Sequence, residues 1–328
     1  MNTDCSYIQD LNEYGYSETE ANFLRLVALH SGVFLARQFN QFAQAKNGKR
    51  VDSFLSKLKS NRHCHTYRLG KNAGVFHLSS RAIYRIIGHE NLRHRRSHQI
   101  DYVKTKLLGL DYVLQNPTLE YFPTEEEKVH LFTKVLSVPT SALPARAYRT
   151  PNSKAETLRY FVDKYPLFLS EISPPAPVVH FTYVDPGPYT TIVDFLNHLR
   201  SYAALFARMD VIRMLYIHQV SNKWKQAQDL FHAFVRSGCK LGADDLDLVK
   251  YFQLREAWES KQYEKVGSTE LLFLNQARKK YKGARYEGMY CEWKNGDRVL
   301  SAGEKKVPAA SFTTYKIGEP YAPFGDLD

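Results

Sequence analysis

The sequence predicts an α+β fold, with a helical N-terminal unit carrying a β-hairpin and a smaller α/β body after it. Three observations carry this. Helical periodicity with breaks at Gly32 and Gly48 runs from Ser17 to Ser60. A period-two stretch with a glycine turn follows between His65 and Leu78. Beyond Pro117, apolar β-rich runs alternate with amphipathic helices. The chain has 328 residues, 44% hydrophobic and 24% charged, which supplies a sizeable core and argues against disorder.

The first helix opens at Ser17-Glu-Thr-Glu20, an N-cap serine with glutamate three residues on, the spacing of a capping box. Ala21, Phe23, Leu24, Val27 and Ala28 form its apolar stripe, and Gly32 ends it. A second helix is expected from about Leu35 to Ala45 with Phe39 and Phe42 inward, and Lys46-Asn47-Gly48 breaks it. The third runs from about Lys49 to Ser60 with Val51, Phe54, Leu55 and Leu58 on one face. His65–Leu69 and Val75–Leu78 read as strands around the turn Gly70-Lys-Asn-Ala-Gly74. Helix, helix, helix, hairpin is the order of a winged helix-turn-helix, expected over residues 1–88.

Arg81–Ile87 reads as a short helix. The basic stretch Glu90–His98 then leads into a long helix ending near Gln115, with Ile100, Val103, Leu107, Leu110 and Leu114 on its apolar positions. This connecting segment, 89–116, fits either an interdomain strut or a dimer seam. An α/β body is expected over 117–240. Its strands would be Leu119–Phe122, Leu158–Val162, Val178–Val184 and Val211–Ile217. Its helices would start at Thr124-Glu-Glu-Glu-Lys128 and cover Thr190–Ala207 and Trp224–Arg236, with Ser173–Pro177 and Asp185–Pro188 as connectors. In the extension, 241–328, helices are expected from Asp244 to about Lys261 and from Leu271 to Lys282. A hairpin is expected through Met289–Trp293, Asn295-Gly296 and Arg298–Leu300, with an aperiodic tail after Lys306.

Charge is the most informative feature. The chain carries a net +11, yet residues 32–100 alone hold fourteen Lys and Arg against Asp52 and Glu90, so the rest of the chain is nearly neutral. A local basic block points to a polyanion, most often nucleic acid, with a solvated basic face as the bland rival. The residues expected to meet DNA are Lys46 and Asn47 before the third helix, and Lys49, Arg50, Ser53 and Lys57 on it. Arg68, Lys71 and Asn72 would act from the hairpin, and Arg93, Arg95 and Arg96 would extend the phosphate footprint.

Other chemistries find little support. No P-loop, dinucleotide fingerprint, nucleophile elbow or HExxH is present. Cys5, Cys64, Cys239 and Cys291 are widely spaced with no CxxC, which fits a reducing compartment rather than a disulfide framework. His63, Cys64, His65 and His77 could hold zinc only by converging, which adjacent strand residues do not do. No apolar run reaches a membrane span, and Met1–Glu20 lacks the pattern of a signal peptide. No cofactor is expected, and a cytoplasmic location is.

The order of elements, with Arg159-Tyr-Phe-Val-Asp163 and Phe181-Thr-Tyr-Val-Asp185 as apolar runs ending in aspartate, resembles the replication-relaxation proteins of plasmids and other mobile elements. The resemblance covers about residues 17 to 235. It implies a second domain like a PD-(D/E)XK nuclease core, in which carboxylates hold a divalent metal that activates water. The matching positions are Glu125 or Glu126, Asp163 and Asp185. The chain departs from that core: no proline-aspartate precedes an (Asp/Glu)-X-Lys, and Asp163 and Lys164 are adjacent. The expectation is therefore a degenerate core without catalytic or metal-binding residues. The chain would be a sequence-specific duplex-DNA-binding regulator or accessory factor, a homodimer whose central body docks a second copy or a protein partner. The rivals are a metal-dependent nuclease and a protein-binding adaptor.

Overall fold

The computed structural model describes residues 6–44, 48–69, 73–96, 99–149, 156–163, 165–170, 178–187, 190–219, 223–240, 243–294 and 308–318. The architecture is mixed α+β. Helices α1 (Ser6–Asn12), α2 (Glu18–His30), α3 (Ala36–Ala43) and α4 (Gly48–Ser60) pack on a three-stranded antiparallel sheet. Its strands are β1 (Val33–Leu35), β2 (Cys64–Leu69) and β3 (Ala73–Leu78), in the order β1-β3-β2. Short helix α5 (Arg81–Ile86) follows.

The expected capping box is present. Ser17 N–H donates to Glu20 Oε2 at 2.8 Å, and Glu20 N–H returns to Ser17 Oγ at 3.4 Å. Strand alternation divides the small sheet. Phe34 and Phe76 enter the helical core beside Phe23, Phe39 and Phe54, whereas Val33, Leu35 and Val75 point to the other face. Helix α1 and strand β1 were not legible in the sequence. Strand β1 is three residues long, too short to show a period.

Helix α6 (Ile100–Gln115) is the strut, not a dimer seam. Every residue from Thr105 to Val113 is buried. Leu110 belongs to the helical core of the N-terminal unit, while Val103, Leu107, Leu108 and Tyr112 pack with Val33 and Leu35 on one side and Phe168, Val184 and Leu215 on the other. A helix that is covered all round has no face left for a second copy.

The central sheet has the order β10-β9-β8-β7-β4, built from β4 (Glu120–Tyr121), β7 (Leu167–Ser170), β8 (Val178–Asp185), β9 (Val211–His218) and β10 (Ala309–Lys316). Strands β8, β9 and β10 are mutually parallel, β7 is antiparallel to β8, and β4 is antiparallel to β7. Helices α8 (Ile192–Ser201), α9 (Ala203–Phe206) and α10 (Trp224–Arg236) cover one face, over Phe181, Tyr183, Met214 and Tyr216, and α6 covers the other. Helix α7 (Glu125–His130) joins the first of these layers. Strands β5 (Ala145–Arg149) and β6 (Glu156–Tyr160) form a separate two-stranded ribbon.

Helices α11 (Ala243–Glu259), α12 (Ser268–Lys280) and α13 (Ala284–Lys294) build a satellite core around Leu248, Phe252, Leu274 and Tyr290. Two C-terminal segments differ from the sequence expectation. Met289–Trp293 is helical, because Tyr290 packs into this core and its hydroxyl donates to Glu259 Oε2 at 2.8 Å; Asn295-Gly296 and Arg298–Leu300 lie outside the described residues. Part of the tail after Lys306 is β10, paired in register with all of β9. Among the described residues no helix is long and apolar enough to cross a membrane.

Candidate nucleic-acid interface

Helix α4 is seated by one aromatic anchor. Phe54 stacks on Phe39 with ring centroids 4.0 Å apart and also meets Phe23 and Phe34. Val51 and Leu58, a turn to either side, are buried with it. This spacing turns Lys49, Arg50, Ser53, Ser56 and Lys59 to solvent, with Asp52 the one acid among the exposed residues of the helix. Arg50 also donates from Nη1 to the carbonyl of Ala43 at 3.2 Å, closing the end of α3.

Lys57 belongs elsewhere. It forms an ion pair with Glu20, donates to the carbonyl of Gly15 at 2.9 Å, and sits 5.8 Å from the centroid of the Tyr16 ring. It fastens α4 to the start of α2 and leaves the outer face. Ser56, about one turn beyond Ser53, is exposed on the same side of α4, and Lys59 is exposed near the helix end with its Nζ 5.5 Å from the centroid of the Phe76 ring; neither was among the sequence-predicted site residues. Lys46, Asn47, Lys71, Asn72 and the side chain of Arg68 lie outside the described residues.

Arg93, Arg95 and Arg96 do not extend the α4 footprint. The turn Arg93–Arg95 touches the face of the small sheet opposite the helices: His77 Nε2 is 3.0 Å from the carbonyl oxygen of His94, and His77 pairs with Val33. Arg93 lies over the Tyr148 ring of β5 at 4.6 Å. Alternation along β3, not distance in sequence, decides this. Arg37, Arg81 and Arg85 are also committed, the first to Asp111 and the other two to Glu90. Lys49, Arg50 and Lys59, in contrast, form no ion pair with any described residue.

Of the acidic positions implied by the nuclease resemblance, Glu125, Asp163 and Asp185 are bonded within the protein. Asp163 follows β6, which is in the ribbon and not in the central sheet, so Asp163 and Asp185 do not end neighbouring strands. Asp163 Oδ2 accepts from Tyr202 Oη at 2.9 Å and lies 3.2 Å from His198 Nδ1. Burial pushes its carboxyl up, but His198, Lys128 and Tyr202 together outweigh that and hold it below the usual carboxylate range. Lys128 is buried, donates from Nζ to the Tyr165 carbonyl at 3.0 Å, and has its pKa lowered by that burial.

Asp185 accepts from Tyr216 Oη at 2.7 Å and from Gly187 N–H at 2.9 Å, and its parallel neighbour in register is His218. Glu125 Oε1 accepts from Tyr160 N–H at 2.9 Å, and its Oε2 is 3.6 Å from Arg159. Glu126 lines a cleft of about 290 Å³ between the N-terminal unit and the ribbon base, with Glu90, Arg93, Lys128 and Arg159. Among the described residues no three His, Cys, Asp or Glu side chains are grouped as a metal ion requires. His63, of the weighed zinc set, is hydrogen-bonded to Tyr16 at 2.8 Å instead.

Comparison of the chain with protein-family models, with curated proteins and with solved structures finds no match.

Proposed function

We propose that this chain binds duplex DNA sequence-specifically, with α4 as the element that enters the major groove. The observation that carries the reading is the segregation of charge on α4. Lys57 is paired with Glu20, whereas Lys49, Arg50 and Lys59 are exposed with no carboxylate partner among the described residues. A solvent-facing side carrying Lys49, Ser53 and Ser56, with Arg50 and Lys59 at its two margins, suits phosphates and base edges.

The order of α2, β1, α3, α4, β2 and β3, with β3 central in the small sheet, supports reading the unit as a winged helix. A role as a regulator or accessory factor of a mobile element rests on the resemblance of element order. The central domain serves as a docking body, since each of Glu125, Asp163 and Asp185 is already bonded within the protein. A second copy would meet the central or C-terminal surfaces, because α6 is covered.

The test is selection of bound fragments from random duplex DNA by the full chain, followed by binding titrations at several salt concentrations. Four to six neutralised phosphates give a slope of log K against log salt of about −4 to −5. Arg50→Ala relaxes sequence preference and costs about 1–3 kcal/mol of binding if Arg50 reads a base. Lys49→Ala weakens all sequences alike. No retention of any duplex at low salt would sink the proposal in favour of a protein-binding adaptor, and cleavage of DNA with Mg²⁺ or Mn²⁺ would sink the inactive core.

A further inference from the structure

The β5–β6 ribbon carries a second cationic surface. The two strands pair antiparallel with Arg146 opposite Arg159 and Tyr148 opposite Thr157. Cross-strand partners share a face, so one face of the ribbon presents these four side chains, and Ala145, Ala147, Leu158 and Tyr160 fall on the other. Arg93 adds a third guanidinium to this face by lying over the Tyr148 ring at 4.6 Å.

Two arginines directly across a strand pair repel one another, which weakens an isolated ribbon. Glu125, 3.6 Å from Arg159, is the only carboxylate among the described residues paired with any of the three arginines. Arg146 and Arg159 are exposed. The chain thus keeps an unfavourable like-charge pair at the surface; Glu90, Glu125 and Glu126 line the cleft beside Arg93 and Arg159, whereas Arg146 forms no ion pair with a described residue.

The chemistry favours nucleic acid over an acidic protein. Guanidinium forks match phosphate oxygens bidentately, and a two-stranded ribbon fits the major groove. The exposed apolar Leu158 lies on the opposite ribbon face. We propose that the Arg146, Arg159 and Arg93 face of the ribbon is a second contact for the DNA phosphate backbone, separate from α4. It rests on the reading of duplex DNA as the partner. The two surfaces are distinct because Arg93 belongs to the turn on the far side of the small sheet from α4.

The experiment is fluorescence anisotropy of the full chain with a labelled duplex of roughly 40 base pairs across a salt series. Arg146→Ala is expected to weaken every sequence alike and to reduce the salt slope by about 1, with the melting temperature unchanged. Arg146→Lys, which keeps the charge, restores the slope. Lys49→Ala produces its own loss, and the two losses add on a logarithmic scale, as for separate sites. If Arg146→Ala binds as the wild type while Lys49→Ala weakens binding, the ribbon proposal is overturned and α4 stands. If only Arg146→Ala weakens binding, the ribbon stands and α4 falls. If neither changes binding, both fall. Competition by polyglutamate as effective as by duplex DNA of equal charge would overturn the assignment of nucleic acid as the ribbon's partner.

Discussion

Arg37 and Asp111 form a bidentate pair across the joint between the N-terminal unit and α6, with Nη1 to Oδ1 at 2.8 Å and Nη2 to Oδ2 at 2.7 Å. Asp111 is fully buried, and Gln38 Nε2 donates both to it, at 2.8 Å, and to the Leu107 carbonyl, at 3.0 Å. Helix α3, which packs beside α4, is thereby fixed to a helix that the central sheet also holds. Asp111→Asn leaves the guanidinium without its counter-charge in a largely dry site. The expected cost is about 3 kcal/mol, checked by urea unfolding at neutral pH. A loss under about 1 kcal/mol would show that the pair does not hold the joint.

Gly32 ends α2 with φ +75°, and a Cβ placed there would come within 2.3 Å of the His94 carbonyl oxygen. The contact is backbone against side chain, so no rotamer change relieves it. Gly32→Ala therefore combines a strained conformation with a clash and destabilises by more than about 1 kcal/mol. Thermal denaturation of the variant measures this, and a wild-type melting temperature would contradict the close approach of the Arg93–Arg95 turn.

Asp185 sits at the end of β8 with both oxygens engaged, by Tyr216 and Gly187. Asp185→Asn places an amide where one of these two donors must lose its acceptor, at a cost of about 1–3 kcal/mol in stability. DNA affinity is expected to stay at the wild-type value, because the residue is buried at the strand end. A drop in affinity with unchanged stability would give the carboxylate a direct role in binding.

His180 makes stability depend on pH. Burial, with Phe168 stacked 4.7 Å away, lowers its pKa to about 4, and Arg213 adds to the shift; the ring also bonds Ser170 Oγ at 2.7 Å. The unfolded imidazole takes up a proton below about pH 6.5, whereas the folded one stays neutral until about pH 4. The unfolded state therefore binds more protons in that window, and stability falls as pH falls through it. His180→Gln should flatten the decline by at most about 1.4 kcal/mol per pH unit, read from denaturant midpoints at pH 7 and pH 5. Parallel curves for the two proteins would refute the assignment.

Local pattern was enough for much of the fold. The capping box at Ser17 and Glu20 with the stripe ending at Ala28, and the row Val51, Phe54 and Leu58, set two N-terminal helices, because helical burial repeats every three to four residues whatever the partner. Trp224–Arg236 was legible for the same reason, and so was the exposed row through Lys49 and Ser53. What the long-range contacts decided is of another kind. Nothing in Ala309–Lys316 names β9 as its neighbour, since a parallel pairing nearly a hundred residues away leaves no local period. Lys57 reads as one more surface lysine until Glu20 arrives from 37 residues earlier. Arg93 reads as part of the basic block until the alternation of Val33 and Phe34 divides the sheet between two faces. Asp163 and Asp185 read as a pair until their strands join different sheets. Periodicity records which side of an element is buried, but only the packed chain determines what lies across from it.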